Sequence, residues 1–165
     1  MSEFLLPDDI IALARRVVDE NSACGRKIAL AESCTGGLVC AALTEVPGSS
    51  AVLERGFVTY SNEAKMEDLD VQPDIIEAFG AVSVATAWAM AQGALKHSRA
   101  DVAVSISGIA GPDGGTDLKP VGTVVFACAR RGADEVSAEE KLLEGGNRSQ
   151  IRHKAVLTAL ELLLP

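Results

Sequence analysis

Aromatic side chains are scarce in this 165-residue chain, with one Trp, one Tyr and four Phe, and the 15 basic residues are outnumbered by 23 acidic ones. A formal charge of −8 repels phosphate backbones and anionic membranes, and little aromatic surface is left to stack on bases. No nucleic acid and no membrane is therefore expected among its partners. Cysteine is sparse too: Cys24, Cys34, Cys40 and Cys128 form no C-x-x-C pair, which excludes a zinc knuckle and a disulfide framework and fits a reducing cytoplasm. His97 and His153 stand alone, without H-x-x-x-H or D-x-D spacing, so no metal is expected. The charge-free stretch Ala81 to Leu95 is shorter than the roughly 20 residues of a bilayer span and fits a buried helix. Met1 to Asp9 lacks the basic start and apolar run of a signal peptide. Neither G-x-G-x-x-G nor a glycine-rich loop ending in Gly-Lys-Ser/Thr occurs, which removes the Rossmann and Walker readings.

What is present is a 48% hydrophobic composition, enough to build one core over a single domain, residues 1–165. Pro7 precedes Ile10, Leu13, Ala14 and Val17 at helical spacing, and Gly25 closes that helix. Lys27 to Ala31 is a short apolar strand that runs through Glu32-Ser33-Cys34-Thr35-Gly36-Gly37 into a helix from Leu38 to Val46. Phe57-Val58-Thr59-Tyr60 has strand propensity, and Ser61-Asn62 supplies a cap for a helix through about Asp68. Pro73 opens a short helix that Gly80 closes, and Ser83 caps a longer one expected to bury Val84, Trp88, Ala91 and Leu95. Val102 to Ile106 is a central strand running into a glycine-rich loop, Ser107 to Thr116. Val121 to Ala129 and Val136 to Leu143 are its antiparallel continuation, and Asn147 with Gln150 forms a capping box for the last helix. Strands interleaved with helices predict a three-layer α/β/α sandwich around a mixed, mostly parallel sheet.

Three segments place small or polar residues where a strand gives way to a loop or helix, the usual ligand position in open α/β sheets. In the first, Ser33 is a candidate nucleophile with the Gly36 and Gly37 amides as oxyanion donors, although Ser33 or Thr35 equally suits an ordinary helix cap. In the second, Tyr60 and Lys65 can point at one spot above the sheet. Lys65 acts as a general base only if burial or a nearby cation drives its pKa down towards neutrality; otherwise it is a solvated helix lysine. In the third, the glycines between Ser107 and Thr116 suit either a nest of N–H groups around an anion or a mobile connection. Arg148, just inside the last helix, can add a charged contact to such an anion or be a plain surface charge. Cys34 is a rival nucleophile whose thiol a helix N-terminus would acidify, but no histidine is placed to serve it.

Taken together, Ala31-Glu32-Ser33-Cys34-Thr35-Gly36-Gly37, Phe57 to Lys65, Ser105 to Thr116 and Lys119-Pro120-Val121-Gly122-Thr123-Val124 closely resemble the CinA C-terminal domain family in spelling, order and spacing. The resemblance runs from about Asp8 to the last helix. It implies hydrolysis of the amide of nicotinamide mononucleotide (NMN) to nicotinic acid mononucleotide and ammonia, without a cofactor. It places the nucleophile on Ser33, the base on Lys65 and an accompanying tyrosine on Tyr60, the last a candidate to relay the proton between them. It draws the nucleotide pocket from Thr35, Gly36 and Gly37 and from Ser107, Gly108, Ile109, Ala110 and Gly111; Arg148 as a phosphate ligand is an inference from its place in the last helix and not from the resemblance. The resemblance also implies a homodimer or larger homo-oligomer. Asp70, where relatives often have Gly, and Ser107, where many have Thr, depart from the pattern. A non-catalytic pocket for pyridine nucleotides, or a competence-associated role inherited from fused relatives, is the alternative.

Overall fold

Along β1 (Ile28–Glu32) every side chain is buried, yet alternate positions meet different neighbours. Ile28 and Leu30 join one core with Val102, Val104, Ile106 and Phe126, while Ala29 and Ala31 join a second with Ala103, Ala127 and Ala129. Successive strand side chains point to opposite faces, so the sequence builds a sheet with one bulky face and one alanine-lined face. The computed structural model, which describes residues 3–165, shows helices packed on both. Met1 and Ser2, which head the segment lacking signal-peptide features, lie outside the described residues.

The bulky face is covered by α1 (Asp8–Ala23), α2 (Leu38–Thr44) and α6 (Arg148–Leu162). The alanine face receives α5 (Val84–Lys96), with α3 (Asn62–Leu69) and the short α4 (Pro73–Phe79) against its flank. Close approach there is chemically visible: Ser105 Oγ in the sheet donates to the carbonyl of Ala87 in α5 at 2.6 Å. This approach also decides which side of α5 is buried. Thr86, Ala87, Met90, Ala91, Ala94 and Leu95 face inwards, but Val84 and Trp88, expected in the core, stay exposed, Trp88 by 45%. An indole does not fit between a helix and a sheet held together by alanines.

The sheet has five strands in the order β2-β1-β3-β4-β5, where β2 is Leu53–Val58, β3 Val102–Gly108, β4 Thr123–Arg130 and β5 Val136–Leu142. β1 pairs in parallel with β2 and β3, while β4 pairs antiparallel with β3 and β5. Four of the five strands thus point one way, which bears out the mixed, mostly parallel α/β architecture. β2 begins and ends earlier than Phe57 to Tyr60 suggests, because it is a half-exposed edge strand whose Glu54, Arg55 and Gly56 show no apolar alternation. Caps fall where expected: Ser61 Oγ accepts from Ala64 N–H, Ser83 Oγ from Thr86 N–H, and Asn147 with Gln150 closes a reciprocal capping box. Asp70 ends α3 in the left-handed region at φ 56°, a conformation in which Gly is at ease.

The register fixes the site. Glu32 sits opposite Val58 on one side and Ile106 on the other, so the carboxyl ends of β1 and β2 finish level and β3 runs two residues beyond them, to Gly108. Ser33, Thr59 and Ile109 leave those ends together.

Candidate active site

A cavity of about 280 Å³ opens above these strand ends, and Ser33, Cys34, Tyr60 and Lys65 form one wall. Lys65 is only 1% exposed although it sits on the first turns of α3. Its Nζ lies 3.1 Å from Ser33 Oγ and donates to the carbonyls of Thr59 at 2.9 Å and Tyr60 at 3.1 Å, with the Ser61 carbonyl further off at 3.5 Å. None of the ion pairs among the described residues involves it. Burial without a carboxylate disfavours the ammonium and lowers the Lys65 pKa below its ordinary 10.5. A neutral amine has two N–H donors and one lone pair. In that form the two nearer carbonyls, of Thr59 and Tyr60, can take the donors and leave the lone pair for the Ser33 hydroxyl.

Ser33 is held by its own backbone, its N–H donating to the Ile106 carbonyl and its carbonyl accepting from Gly36 N–H. Cys34 beside it is no rival. Burial pushes its thiol up to about 11, the reverse of the acidified thiol expected of a helix N-terminus.

The opposite wall is Ser107, Gly108, Ile109, Ala110 and Gly111, joined by Asp113 and Gly114. Ile109 N–H bonds to Thr123 and Ser107 Oγ to the Ala81 carbonyl, whereas the N–H groups of Ala110, Gly111 and Gly114 have no acceptor among the described residues. Arg148 bridges the rim, donating from Nη1 to the Gly111 carbonyl at 2.7 Å and from Nη2 to Tyr60 Oη at 3.2 Å. Tyr60 is 61% exposed, and it touches Lys65 through its carbonyl rather than its hydroxyl. The hydroxyl faces the rim, so a proton relay between Ser33 and Lys65 does not match this geometry.

Thr35, Gly36 and Gly37 are not part of the cavity wall. The reason is Glu32, which sequence reasoning passed over. Its carboxylate, completely buried, accepts from Thr35 Oγ1 at 2.6 Å, Gly37 N–H at 3.0 Å, Val39 N–H at 3.2 Å and Cys40 N–H at 2.9 Å. With Gly36 N–H bonded to Ser33, neither glycine amide is free to hold an oxyanion. The backbone donors of this turn without an acceptor among the described residues are instead Cys34 and Thr35 N–H. Replacing Glu32 with Ala strands four donors, of which those of Thr35 and Val39 are buried and those of Gly37 and Cys40 half-buried, each costing about 1–3 kcal/mol where water does not reach it. We expect a stability loss of about 3 kcal/mol, read in a thermal scan as a melting point lower by about 6–12 °C. A shift below about 2 °C would contradict this role.

Thr59 Oγ1 is the reverse case, a buried side-chain oxygen with no partner among the described residues. Thr59→Val removes an unpaid desolvation cost while keeping shape and the carbonyl that holds Lys65. It should raise stability by about 1 kcal/mol in denaturant titration; a loss of similar size would show that the hydroxyl has a partner.

An α/β domain with a mixed sheet and a pocket outside the carboxyl ends of its parallel strands is the class these features define. The pattern of the CinA C-terminal domain matches residues 10–165, and the chain belongs to that family. It is similar to the nicotinamide-nucleotide amidohydrolase PncC of Escherichia coli K12, at 47% identity over 155 residues, covering 94% of this chain and 93% of that one. It is 50% identical over 150 residues to a putative competence-damage inducible protein of Acetivibrio thermocellus, covering 91% of this chain and 35% of the relative. The chain thus spans about a third of the length of that curated relative. Among solved structures, the competence/damage inducible protein CihA from Agrobacterium tumefaciens superposes with a TM-score of 0.93 at 50% identity, covering 99% of this chain and 97% of that one.

Proposed function

We propose that this chain is a nicotinamide-nucleotide amidohydrolase that converts NMN to nicotinic acid mononucleotide and ammonia through a Ser33/Lys65 pair. The observation that carries this reading is the buried contact of 3.1 Å between Lys65 Nζ and Ser33 Oγ. The similarity to PncC over nearly the whole of both chains supports the substrate.

An amide is a poor electrophile, so both a deprotonated hydroxyl and a stabilised oxyanion are needed. Ser33 Oγ attacks the carboxamide carbon while its proton passes to Lys65 Nζ. The carbonyl oxygen becomes an oxyanion held by the free N–H of Cys34, the residue of this turn beside Ser33 that lines the cavity. As the C–N bond breaks, the Lys65 ammonium returns that proton to the departing amide nitrogen, which leaves as ammonia. Water then attacks the acyl ester, Lys65 takes one water proton and passes it to the Ser33 oxygen as the acid departs, and the acid gives the other water proton to solvent to become the carboxylate. No metal or redox cofactor enters the scheme.

With a chain charge of −8, attraction of the nucleotide phosphate is local. The unpartnered N–H groups of Ala110, Gly111 and Gly114 and the remaining donors of Arg148 supply it. Four free cysteines suit a cytoplasmic setting, and no helix among the described residues is long and apolar enough to cross a membrane. The exposed Phe79, Val84 and Trp88 side chains favour a homodimer or larger homo-oligomer, which sedimentation would show.

The test is incubation of the purified protein with NMN, with ammonia and nicotinic acid mononucleotide quantified together. Equimolar release supports the reading; binding of NMN without any release would make this a non-catalytic pocket.

A further inference from the structure

Strand β3 carries two serines on one face, and they meet the α5 layer differently. Ser105 Oγ donates to the Ala87 carbonyl inside α5, away from the cavity. Ser107 Oγ donates at 2.9 Å to the Ala81 carbonyl ahead of α5, and Ser107 and Ala81 both line the cavity with Ser33 and Lys65. At 2% exposed, Ser107 lies as deep in that wall as Lys65 at 1% and Ser33 at 7%.

The register sets Ser107 beside the nucleophile. Glu32 is opposite Ile106, and the ladder continues as Ser33 N–H donates to the Ile106 carbonyl at 2.9 Å. This aligns Ser33 with Ser107, about 4.8 Å away as neighbouring strands are. Both follow the alternation of the alanine-lined face, Ser33 after Ala29 and Ala31, Ser107 after Ala103 and Ser105. Their side chains therefore rise on the same side of the sheet, from which Lys65 reaches Ser33.

A serine hydroxyl has one proton to donate and two lone pairs to accept with. The Ser107 proton goes to Ala81, and its oxygen accepts no hydrogen bond among the described residues. What it presents to the cavity is an acceptor. The carboxamide of the substrate has two unlike ends: an oxygen that accepts, directed to the Cys34 N–H, and a nitrogen that carries two N–H donors. An acceptor one strand spacing from Ser33 suits the nitrogen and repels an oxygen put in its place.

We propose that Ser107 is a specificity-determining residue for deamidation: its Oγ accepts an N–H of the carboxamide, so that the enzyme favours an amide over an ester of the same acid. This rests on the reading of Ser33 as the nucleophile of an amidohydrolase. The contact outlasts the attack, because the departing nitrogen, protonated by Lys65, still has N–H groups to donate.

The test compares NMN with the methyl ester of nicotinic acid mononucleotide, which releases methanol where NMN releases ammonia. Both give the same acyl ester on Ser33, so kcat/KM for each reports the step in which the amine or the alcohol leaves. The full chain is assayed as wild type, Ser107→Ala and Ser107→Thr, with a melting temperature for each. Ser107→Ala should lower kcat/KM for NMN by about 10- to 30-fold and leave the ester unchanged or faster, so the amide-to-ester ratio falls about 10-fold or more. Ser107→Thr keeps a hydroxyl and should hold the ratio within about threefold of wild type. A ratio for Ser107→Ala within about twofold of wild type overturns the proposal, as does a parallel fall for both substrates, which describes a structural bond to Ala81 alone. An ester that neither wild type nor Ser107→Ala turns over, or a Ser107→Thr ratio as low as that of Ser107→Ala, also overturns it. Absence of ammonia release from NMN by the wild type would remove the amidohydrolase reading and this inference with it; release from NMN with an unchanged ratio in Ser107→Ala removes this inference alone.

Discussion

Ser33→Ala should lower NMN deamidation by about four to six orders of magnitude while leaving the protein folded and able to bind the nucleotide. The loss is large because the hydroxyl is the attacking atom and nothing beside it can substitute. The neighbouring thiol of Cys34 is pushed up to about 11 by burial, so it holds almost no thiolate at neutral pH. The fold should tolerate the change. Ser33 is bound through its backbone to Ile106 and Gly36, and Lys65 keeps the Thr59 and Tyr60 carbonyls when Oγ is removed. Kinetics, a thermal scan and calorimetric titration with NMN on the same preparation would separate these effects. Turnover within about tenfold of wild type would refute the nucleophile.

Lys65→Met should cost a comparable factor, and its pH behaviour carries more information. A base works only when neutral, so kcat/KM in the wild type should rise with pH until Lys65 has lost its proton and then level off. Because burial lowers this pKa from 10.5, the plateau should be reached below the pH at which an exposed lysine titrates. The residual rate of Lys65→Met should lack that limb. Stability follows the same protons. Between the lowered folded pKa and 10.5 the unfolded chain binds more protons than the folded one, so wild-type stability rises with pH across that window. Below the window the cost of burying the ammonium is present in full. The stability of wild type relative to Lys65→Met should therefore increase as pH rises through it, measured by denaturant titrations at several pH values. A pH-independent difference would show that Lys65 titrates alike in both states.

How much of this was legible in the sequence depends on the range of the interactions concerned. Ser33 and Lys65 could be singled out because each lies where a strand ends, and parallel pairing of β1 with β2 brings such ends level. Caps at Ser61, Ser83 and Asn147 are local hydrogen bonds and could be read directly. The oxyanion donor was misplaced along the turn because Gly36 and Gly37 look free from sequence, while the carboxylate that uses up the Gly37 amide comes from Glu32, a charged residue inside an otherwise apolar strand. That charge just ahead of a helix was the available signal, since helix N-termini attract carboxylates. No comparable signal marked Arg152, whose Nε donates to the Cys34 carbonyl, because only the packing of α6 decides which of its side chains meets this turn. Helix α5 failed for a related reason. Its sequence offers more than one apolar stripe, and the alanine-lined sheet face selects the one with small side chains.

The most direct measurement is an NMR titration of the Lys65 side chain in the intact protein, with lysine carbon labels assigned by comparison with Lys65→Met. A resonance that titrates well below 10.5, and whose midpoint coincides with the rising limb of kcat/KM, is the predicted result. Titration at or above the value of an ordinary exposed lysine would mean that position 65 holds an ammonium throughout the working range, and the proton of Ser33 would then have nowhere to go.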